Sequence, residues 1–385
     1  MRSNLLIFIC FVVLGSTLTL GLWPFHIPRN HVSWLEHKSG IRFERYGTVA
    51  TSGLFHTTSG PAASIEIWLQ PRRIWDSGTF LAFFDSTTQR TLSFRQSQTH
   101  FLLQQQCPED RGHRTKLYID NIFRRFRSHF LTITGGPQGI EIYDNGVLVK
   151  SSSRFRLSPA NFCCQVVIGD SPGQPDSWSG EFFGLAIYER QLNANEVLAD
   201  YSTWTRTGRP AIGRDGHALA VYLFNEHNGA VIHDQTGLGV ELRIPDKYQV
   251  LDKIVLEPFW SEFSISRRYW YAVFKNIIGF VPLGFCFYAW WSSILRPKRA
   301  ATATIALGTS VSITIEILQA FLPMRQSGTT DIITNMLGTS IGVASYRISS
   351  PVLARFSRWL SFSTALEKAG IARDGIRPRV GRSAR

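Results

Sequence analysis

The chain is 385 residues long and carries 41 Lys and Arg against 28 Asp and Glu, a formal net charge of +13. At 44% hydrophobic and 13% aromatic residues it is not a disordered tail, and 18% charged residues is low for a soluble domain. So large a charge points first to nucleic acid or an anionic surface, and the placement of the basic residues decides between them. From Arg347 onward nine Lys and Arg face two acids, Glu367 and Asp374; Arg296, Lys298 and Arg299 share a short loop; Arg2 stands near the N-terminus. These three places hold eleven of the thirteen net charges, and each flanks a hydrophobic run. A nucleic-acid surface spreads basic residues over a folded face. No such stripe is present, so nucleic acid is excluded as a partner.

The first element is Leu5–Leu22, an uncharged apolar run near the roughly 20 residues that a bilayer requires. It lacks an A-x-A-like cleavage site, so it is read as an uncleaved anchor rather than a signal peptide. Residues 1–25 form the expected first transmembrane helix. Residues 26–250 read as all-β. Ser64–Gln70 alternates polar and apolar residues, and short aromatic or β-branched runs follow at Thr79–Phe84, Thr91–Phe94, Thr99–Gln104, Phe130–Thr134 and Gly139–Tyr143. Asn145-Gly146 between two such runs is a hairpin signal, because this pair accepts the positive φ angles of a tight turn. Gln165–Ile168, Glu181–Tyr188, Ala218–Phe224 and Val240–Ile244 complete the set. Asn193 and Glu196 form a capping box that opens a helix over Val197–Trp204. About a dozen short strands in this length predict a two-sheet sandwich or jelly roll.

After a linker at 251–268 come three further apolar runs, Tyr269–Leu295, Ala300–Met324 and Gly328–Tyr346, then a basic tail at 347–385. The fold class is therefore mixed: a membrane bundle of about four transmembrane helices plus an all-β jelly-roll sandwich ectodomain. The positive-inside rule puts Arg2, the Arg296–Arg299 loop and the tail in the cytoplasm, and the sandwich outside. The expected location is a bacterial-type inner membrane, crossed several times. Cys10 and Cys286 fall in spans as apolar fillers. Cys107, Cys163 and Cys164 fall outside, where disulfides persist; a bond from Cys107 to one of the adjacent pair is expected, and spacing does not choose which. His227, His233 and Asp234 read as ordinary surface rather than a metal site. No metal or other cofactor is expected.

Ionisable and amide residues inside membrane spans are costly and mark function or bundle interiors. Glu316 and Gln319 share one helix face, and Asp331 and Asn335 share another. Gly338-x-x-x-Gly342 is a small-residue pattern for close helix approach. With Asn276 and the loop residues Arg325 and Ser327, these polar groups are expected to converge in the outer half of the membrane, beneath the sandwich.

Two resemblances attach to these motifs. Trp178-Ser-Gly-Glu-Phe-Phe-Gly-Leu-Ala-Ile-Tyr188, the following helix and the Ile140–Gly146 hairpin resemble laminin-G-like, concanavalin A-like jelly rolls. The E-x-D-x-E strand of glucanases of that type is absent, so no hydrolysis is implied. Asn276-x-x-x-Phe-x-Pro282-x-Gly284, then Glu316-x-x-Gln319-x-x-x-Pro-x-Arg325-x-Ser327, then Asp331-x-x-x-Asn335-x-x-Gly338-x-x-x-Gly342 resemble the VanZ-like family of integral membrane proteins. That family is associated through its founding member with resistance to teicoplanin-type glycopeptides. Relatives often carry an acid one turn before the motif Asn, where this chain has Ala272. Pro282, Gly284, Gly338 and Gly342 are then helix-packing positions; Asn276, Glu316, Gln319, Arg325, Ser327, Asp331 and Asn335 form a ligand-binding polar cluster. Three functions compete. The first is binding of a lipid- or glycan-type ligand at the outer face, with membrane lipids and an envelope or lipid-linked glycan as partners. The second is a structural scaffold with a partner-binding ectodomain. The least supported is an intramembrane acid–base enzyme, since no nucleophile stands beside an evident base.

Overall fold

The structure is a computed structural model that describes residues 2–51, 53–55, 60–106, 114–124, 127–211, 218–238 and 240–368. It divides into two compact units: a β unit of residues 25–254 together with 320–326, and a helical unit of residues 1–24, 255–319 and 327–385.

The β unit is a sandwich of two antiparallel sheets. The first runs β1 (Val32–Trp34), β2 (Ile41–Phe43), β13 (Gly180–Tyr188), β4 (Ala63–Pro71), β9 (His129–Gly136), β10 (Gly139–Asp144) and β11 (Val147–Ser152), with β14 (Ala218–Tyr222) also paired to β13. The second runs β15 (Val231–Ile232), β16 (Leu242–Arg243), β3 (Val49–Thr51), β12 (Gln165–Ile168), β5 (Ser77–Asp85), β6 (Arg90–Ser97), β7 (His100–Gln106) and β8 (Arg114–Ile119). Alternate residues of facing strands meet in one apolar core: Ile65, Ile67 and Leu69 from one sheet, Leu81, Phe83 and Phe94 from the other. The predicted sandwich is therefore present. The strands that sequence patterning omitted are β1, β2, β3, β8 and β15. Four of these are two or three residues long, too short for a period of two to declare itself. The Asn145-Gly146 turn has positive φ at both residues, as a hairpin of this kind demands.

The helix α2 (Ala194–Thr207) begins as predicted. The Asn193 side chain accepts from the backbone N–H groups of Asn195 and Glu196, and Glu196 accepts from Asn193 N–H. It ends at Gly208 with φ of 75°, the left-handed conformation that glycine tolerates. This helix packs Val197 and Trp204 on the outer face of the first sheet, with Phe130, Tyr143 and Tyr188. It thereby covers the polar face of β4, where simple alternation expects solvent. Ser64 and Glu66 are fully buried as a result.

Glu66 meets Asp200 of α2 across the hydroxyl of Tyr188, which lies 3.1 Å from Glu66 Oε2 and 3.3 Å from Asp200 Oδ2. Asp200 also accepts from Ala211 N–H at 2.6 Å. Burial, and secondly the Asp200 charge, raise the Glu66 pKa well above its ordinary 4.5. Two carboxylates this close and this dry do not both ionise. Asp170 is likewise raised by burial, to about 7, against the opposing hydrogen bond from Tyr248.

The helical unit holds α1 (Arg2–Leu22), α3 (Phe259–Glu262), α4 (Arg267–Trp291), α5 (Pro297–Ala320) and α6 (Thr329–Lys368). Within α1, α4 and α5 the segments Asn4–Leu22, Tyr269–Trp291 and Pro297–Ala320 are long and apolar enough to cross a membrane. The expected third span stops four residues early, at Ala320, because the residue before a proline disfavours helix and Pro323 lies just beyond. The expected fourth span is the start of a longer helix of 40 residues, α6. Its change at Arg347 is one of polarity, not of helix. Asp331, Asn335 and several Ser and Thr residues keep α6 outside the set that apolarity alone qualifies.

An acid whose pKa is higher folded than unfolded stabilises the fold fully below its unfolded pKa, and that contribution is lost as pH rises through the folded value. The sandwich should therefore lose stability as pH climbs above about 4, through Asp170 up to about 7 and through Glu66 beyond its ordinary 4.5. Glu66→Gln supplies an amide donor to Asp200 and keeps an oxygen for Tyr188. It should raise the sandwich Tm at neutral pH by several degrees and flatten the slope of Tm against pH. Thermal melts of the full chain between pH 5 and 8 check this.

Candidate functional site

The four long helices of the helical unit meet in a consistent order. α4 and α6 run in the same direction, and α5 runs against both. A Cβ placed on Gly338 would strike the Ile277 carbonyl oxygen, one on Gly342 the Val281 carbonyl oxygen, and one on Gly284 the Thr339 backbone. These glycines bring α4 and α6 to backbone contact, the use that small-xxx-small patterns have in bundles. Pro282 lies inside α4 on this stretch. On the other side of α6, Gly308 of α5 faces the Thr339 side chain. An apolar layer of Cys10, Phe280, Leu283, Phe287, Val311 and Ile315 joins α1, α4 and α5.

That packing gathers the polar residues at one end of the unit, where α1 and α5 finish and α4 and α6 begin. Asn276 Nδ2 donates to Asp331 Oδ1 at 2.7 Å. Asn335 Nδ2 donates to Ser312 Oγ at 2.9 Å. Gln319 Nε2 donates to the Gly21 carbonyl at 2.8 Å, which ties α5 to the end of α1. Glu316, only 1% exposed, accepts from Gly328 N–H at 2.9 Å. Ser327 accepts twice, its Oγ from Leu256 N–H at 3.2 Å and its carbonyl from Glu257 N–H at 2.9 Å.

The bond from Gly328 to Glu316 is one of a set at the start of α6 with a common cause. The first N–H groups of any helix lack partners within it. Gly328 N–H goes to Glu316, Thr329 N–H to the Glu257 carbonyl at 2.8 Å, and Thr330 N–H to Glu262 Oε2 at 2.9 Å. Anionic acceptors also suit the positive end of the helix dipole. The start of α6 is thus held by α5 and by the segment that carries α3. Two buried oxygens are differently placed. Asn335 Oδ1 and Thr330 Oγ1 are buried and meet no hydrogen-bond donor among the described residues.

Of the predicted site residues, Asn276, Glu316, Gln319, Ser327, Asp331 and Asn335 all lie in this unit, at this end. Arg325 is grouped instead with the β unit, within residues 320–326. That segment is tied there by Lys253, which donates to the Leu322 carbonyl, and by Gln326, 3.1 Å from Gln174. The residues that sequence reading missed are Ser312, Glu257 and Glu262. Ser312 had a signal, since it lies one turn from Glu316 on α5. The two acids had none, because they fall in a stretch read as a linker.

In the sandwich, Cys163 and Cys164 carry free thiols, while Cys107, their expected partner, lies outside the described residues. Burial pushes the Cys164 thiol up to about 12. His233 lies near Glu226 and Glu241, at 3.5 and 3.9 Å. Asp234 instead accepts from Val221 N–H and from the Thr236 hydroxyl. No grouping of three metal-ligating side chains occurs among the described residues. An open groove of about 410 Å³ lies along β3, β15 and β16, with Thr51, Arg243, Asp246 and Gln249 among its lining residues.

Residues 219–350 match the family described as VanZ/LLP1. Residues 43–198 match the Concanavalin A-like lectin/glucanases superfamily. A comparison with curated proteins finds no match. Among solved structures, a heptameric SAP-like pentraxin from Limulus polyphemus is 13% identical, over 55% of this chain and 94% of its own, with a TM-score of 0.34. A putative carbohydrate binding protein from Bacteroides ovatus is 12% identical over 56% of this chain and 60% of its own, at 0.41. The Ruminococcus gnavus IT-sialidase CBM40, bound to alpha2,3 sialyllactose, is 12% identical over 42% of this chain and 96% of its own, at 0.32.

The glycine contacts make a specific demand. Gly342→Val must part α4 from α6, and should lower the stability of the detergent-solubilised full chain by roughly 3 kcal/mol. Gly279 has no neighbouring atom within 4 Å of an added Cβ. Gly279→Ala should leave stability unchanged or raise it by at most ~1 kcal/mol. Equal losses in the two melts would rule out the packing described.

Proposed function

We propose, for a chain that joins a VanZ-like helical segment to a concanavalin A-like sandwich, that it is a cell-envelope membrane protein that binds an amphiphile. The polar part of the ligand enters the polar end of the helical unit, and its apolar part lies along the helices in lipid. A lipid-linked glycan or a lipoglycopeptide carries hydroxyl and amide donors suited to such an end. One observation carries the reading: Asn335 Oδ1 is a buried acceptor with no donor among the described residues. Leaving such an atom unmatched costs about 1–3 kcal/mol, and the cost is greater in hydrocarbon. A ligand hydroxyl or amine offsets it.

The sandwich supplies a second contact for the same class of ligand, through the sugar. The groove bearing Arg243, Asp246 and Gln249 offers the hydrogen-bonding side chains that sugar hydroxyls need. The orientation that suits this reading has the basic loop and tail in the cytoplasm and the sandwich outside. The distribution of charge supports it. A second reading is favoured by the bonds from Gly328 and Thr330 to Glu316 and Glu262. On that reading the polar cluster is a scaffold that fixes helix register.

Asn335→Leu separates the two. It removes the unmatched oxygen together with the bond to Ser312. On the binding reading the variant stays inserted and folded, yet retains at least tenfold less lipid-linked glycan, or bound teicoplanin-type probe, after purification in nanodiscs. On the scaffold reading it changes the Tm alone and leaves retention as in the wild type. Native mass spectrometry of the full chain reads both.

A further inference from the structure

The stretch from Pro258 to Ile265 was expected to be a linker, and the structure gives it an unusual division of side chains. Its two neighbouring acids turn inward. Glu257 accepts from the Ser261 hydroxyl at 2.8 Å and is buried, and Glu262 accepts from Thr330 N–H at the start of α6. Its large apolar residues turn outward. Trp260 is 72% exposed and Ile265 is 86% exposed, with Phe259 and Phe263 also on the surface. Phe259 and Trp260 pack edge to face, with centroids 5.0 Å apart, so the rings form a block rather than loose ends.

The position of this block says what covers it. A backbone bridge from Glu257 to Gly328 and the Glu262–Thr330 bond fix it to the first turn of α6. Two residues after Ile265, α4 begins, and its stretch long and apolar enough to cross a membrane starts at Tyr269. The block therefore stands level with the end of the bundle, where hydrocarbon gives way to headgroups. Exposed Trp270 and Tyr271 continue it on α4, and Arg267 is exposed between them. Tryptophan and tyrosine favour this boundary because their rings are apolar and their N–H and O–H groups are not. Arginine there meets lipid phosphate. A water-facing loop carrying this much contiguous apolar surface would be an aggregation hazard.

We propose that residues 258–265, with Arg267, form a membrane-interface anchor that lies in the headgroup–acyl boundary of the leaflet at the polar end of the bundle. The aromatic block sets the depth of α4. Through Glu262 it also fixes the depth of the α6 start, and with it Asp331 and Asn335. The occupant of this surface is phospholipid, whatever ligand the polar end takes.

The test uses the full chain in nanodiscs of phosphatidylcholine and phosphatidylglycerol. A photo-crosslinking phenylalanine analogue replaces Trp260 in one sample, Phe263 in a second, and Trp75 in a third. Trp75 is a sandwich residue of similar exposure, 73%, and serves as the comparison. Irradiation should give phospholipid adducts at 260 and 263, at least tenfold above those at 75, as read by mass spectrometry. Protein–protein crosslinks in place of lipid adducts at both 260 and 263, or lipid yields equal to those at 75, would overturn the proposal. Two positions are used so that a folding defect at one leaves the other to decide.

Discussion

The helical unit depends on one constraint: the first backbone N–H groups of α6 must find acceptors in apolar surroundings. In water such groups are solvated. At the end of a membrane bundle they need the protein. Gly328, Thr329 and Thr330 find theirs in Glu316, the Glu257 carbonyl and Glu262. Those three bonds tie α6 to α5 and to the segment before α4. With the start of α6 fixed, the glycine contacts to α4 set its rotation, and that rotation puts Asp331 beside Asn276 and Asn335 beside Ser312. The start of α6 at the polar end is thus a product of helix capping. Glu316, an acid that looked costly in a membrane span, is one of the acceptors that let α6 begin where it does.

The sandwich solves a parallel problem by different means. Its outer face on β4 carries Ser64 and Glu66, and helix α2 buries both. The sheet keeps these groups satisfied with Thr134, Leu192 N–H, Tyr188 and a carboxyl partner from α2. In each unit a buried carboxylate locks a helix to its neighbour. In the sandwich the lock depends on a shared proton, and so on pH.

Much of this was legible in the amino-acid sequence. The capping box at Asn193 and Glu196 located α2, the Asn145-Gly146 pair located a hairpin, and period-two runs located the longer strands. The spacings Glu316–Gln319 and Asp331–Asn335, with the glycine pair of α6, foretold that the polar residues gather at one end. The failures have physical reasons. Glu66 sits at a polar position of an alternating strand, and alternation alone cannot know that a helix will cover that face. Glu257 and Glu262 lie in an aperiodic stretch, and their role comes from a helix start that the chain brings back more than 60 residues later. Arg325 follows Glu316 by nine residues, yet the break at Pro323 separates its segment from the helix.

The central claim is that acceptors from α5 and from the segment before α4 hold the start of α6. Hydrogen–deuterium exchange of the full chain in nanodiscs, read at the amides of residues 328–330, tests it most directly. The account predicts slow exchange there in the wild type. In Glu316→Ala and Glu262→Ala exchange should be at least tenfold faster, confined to this turn and to peptides spanning Asn276 and Asp331. Amides that exchange freely in the wild type, or that stay equally protected in both variants, would contradict it.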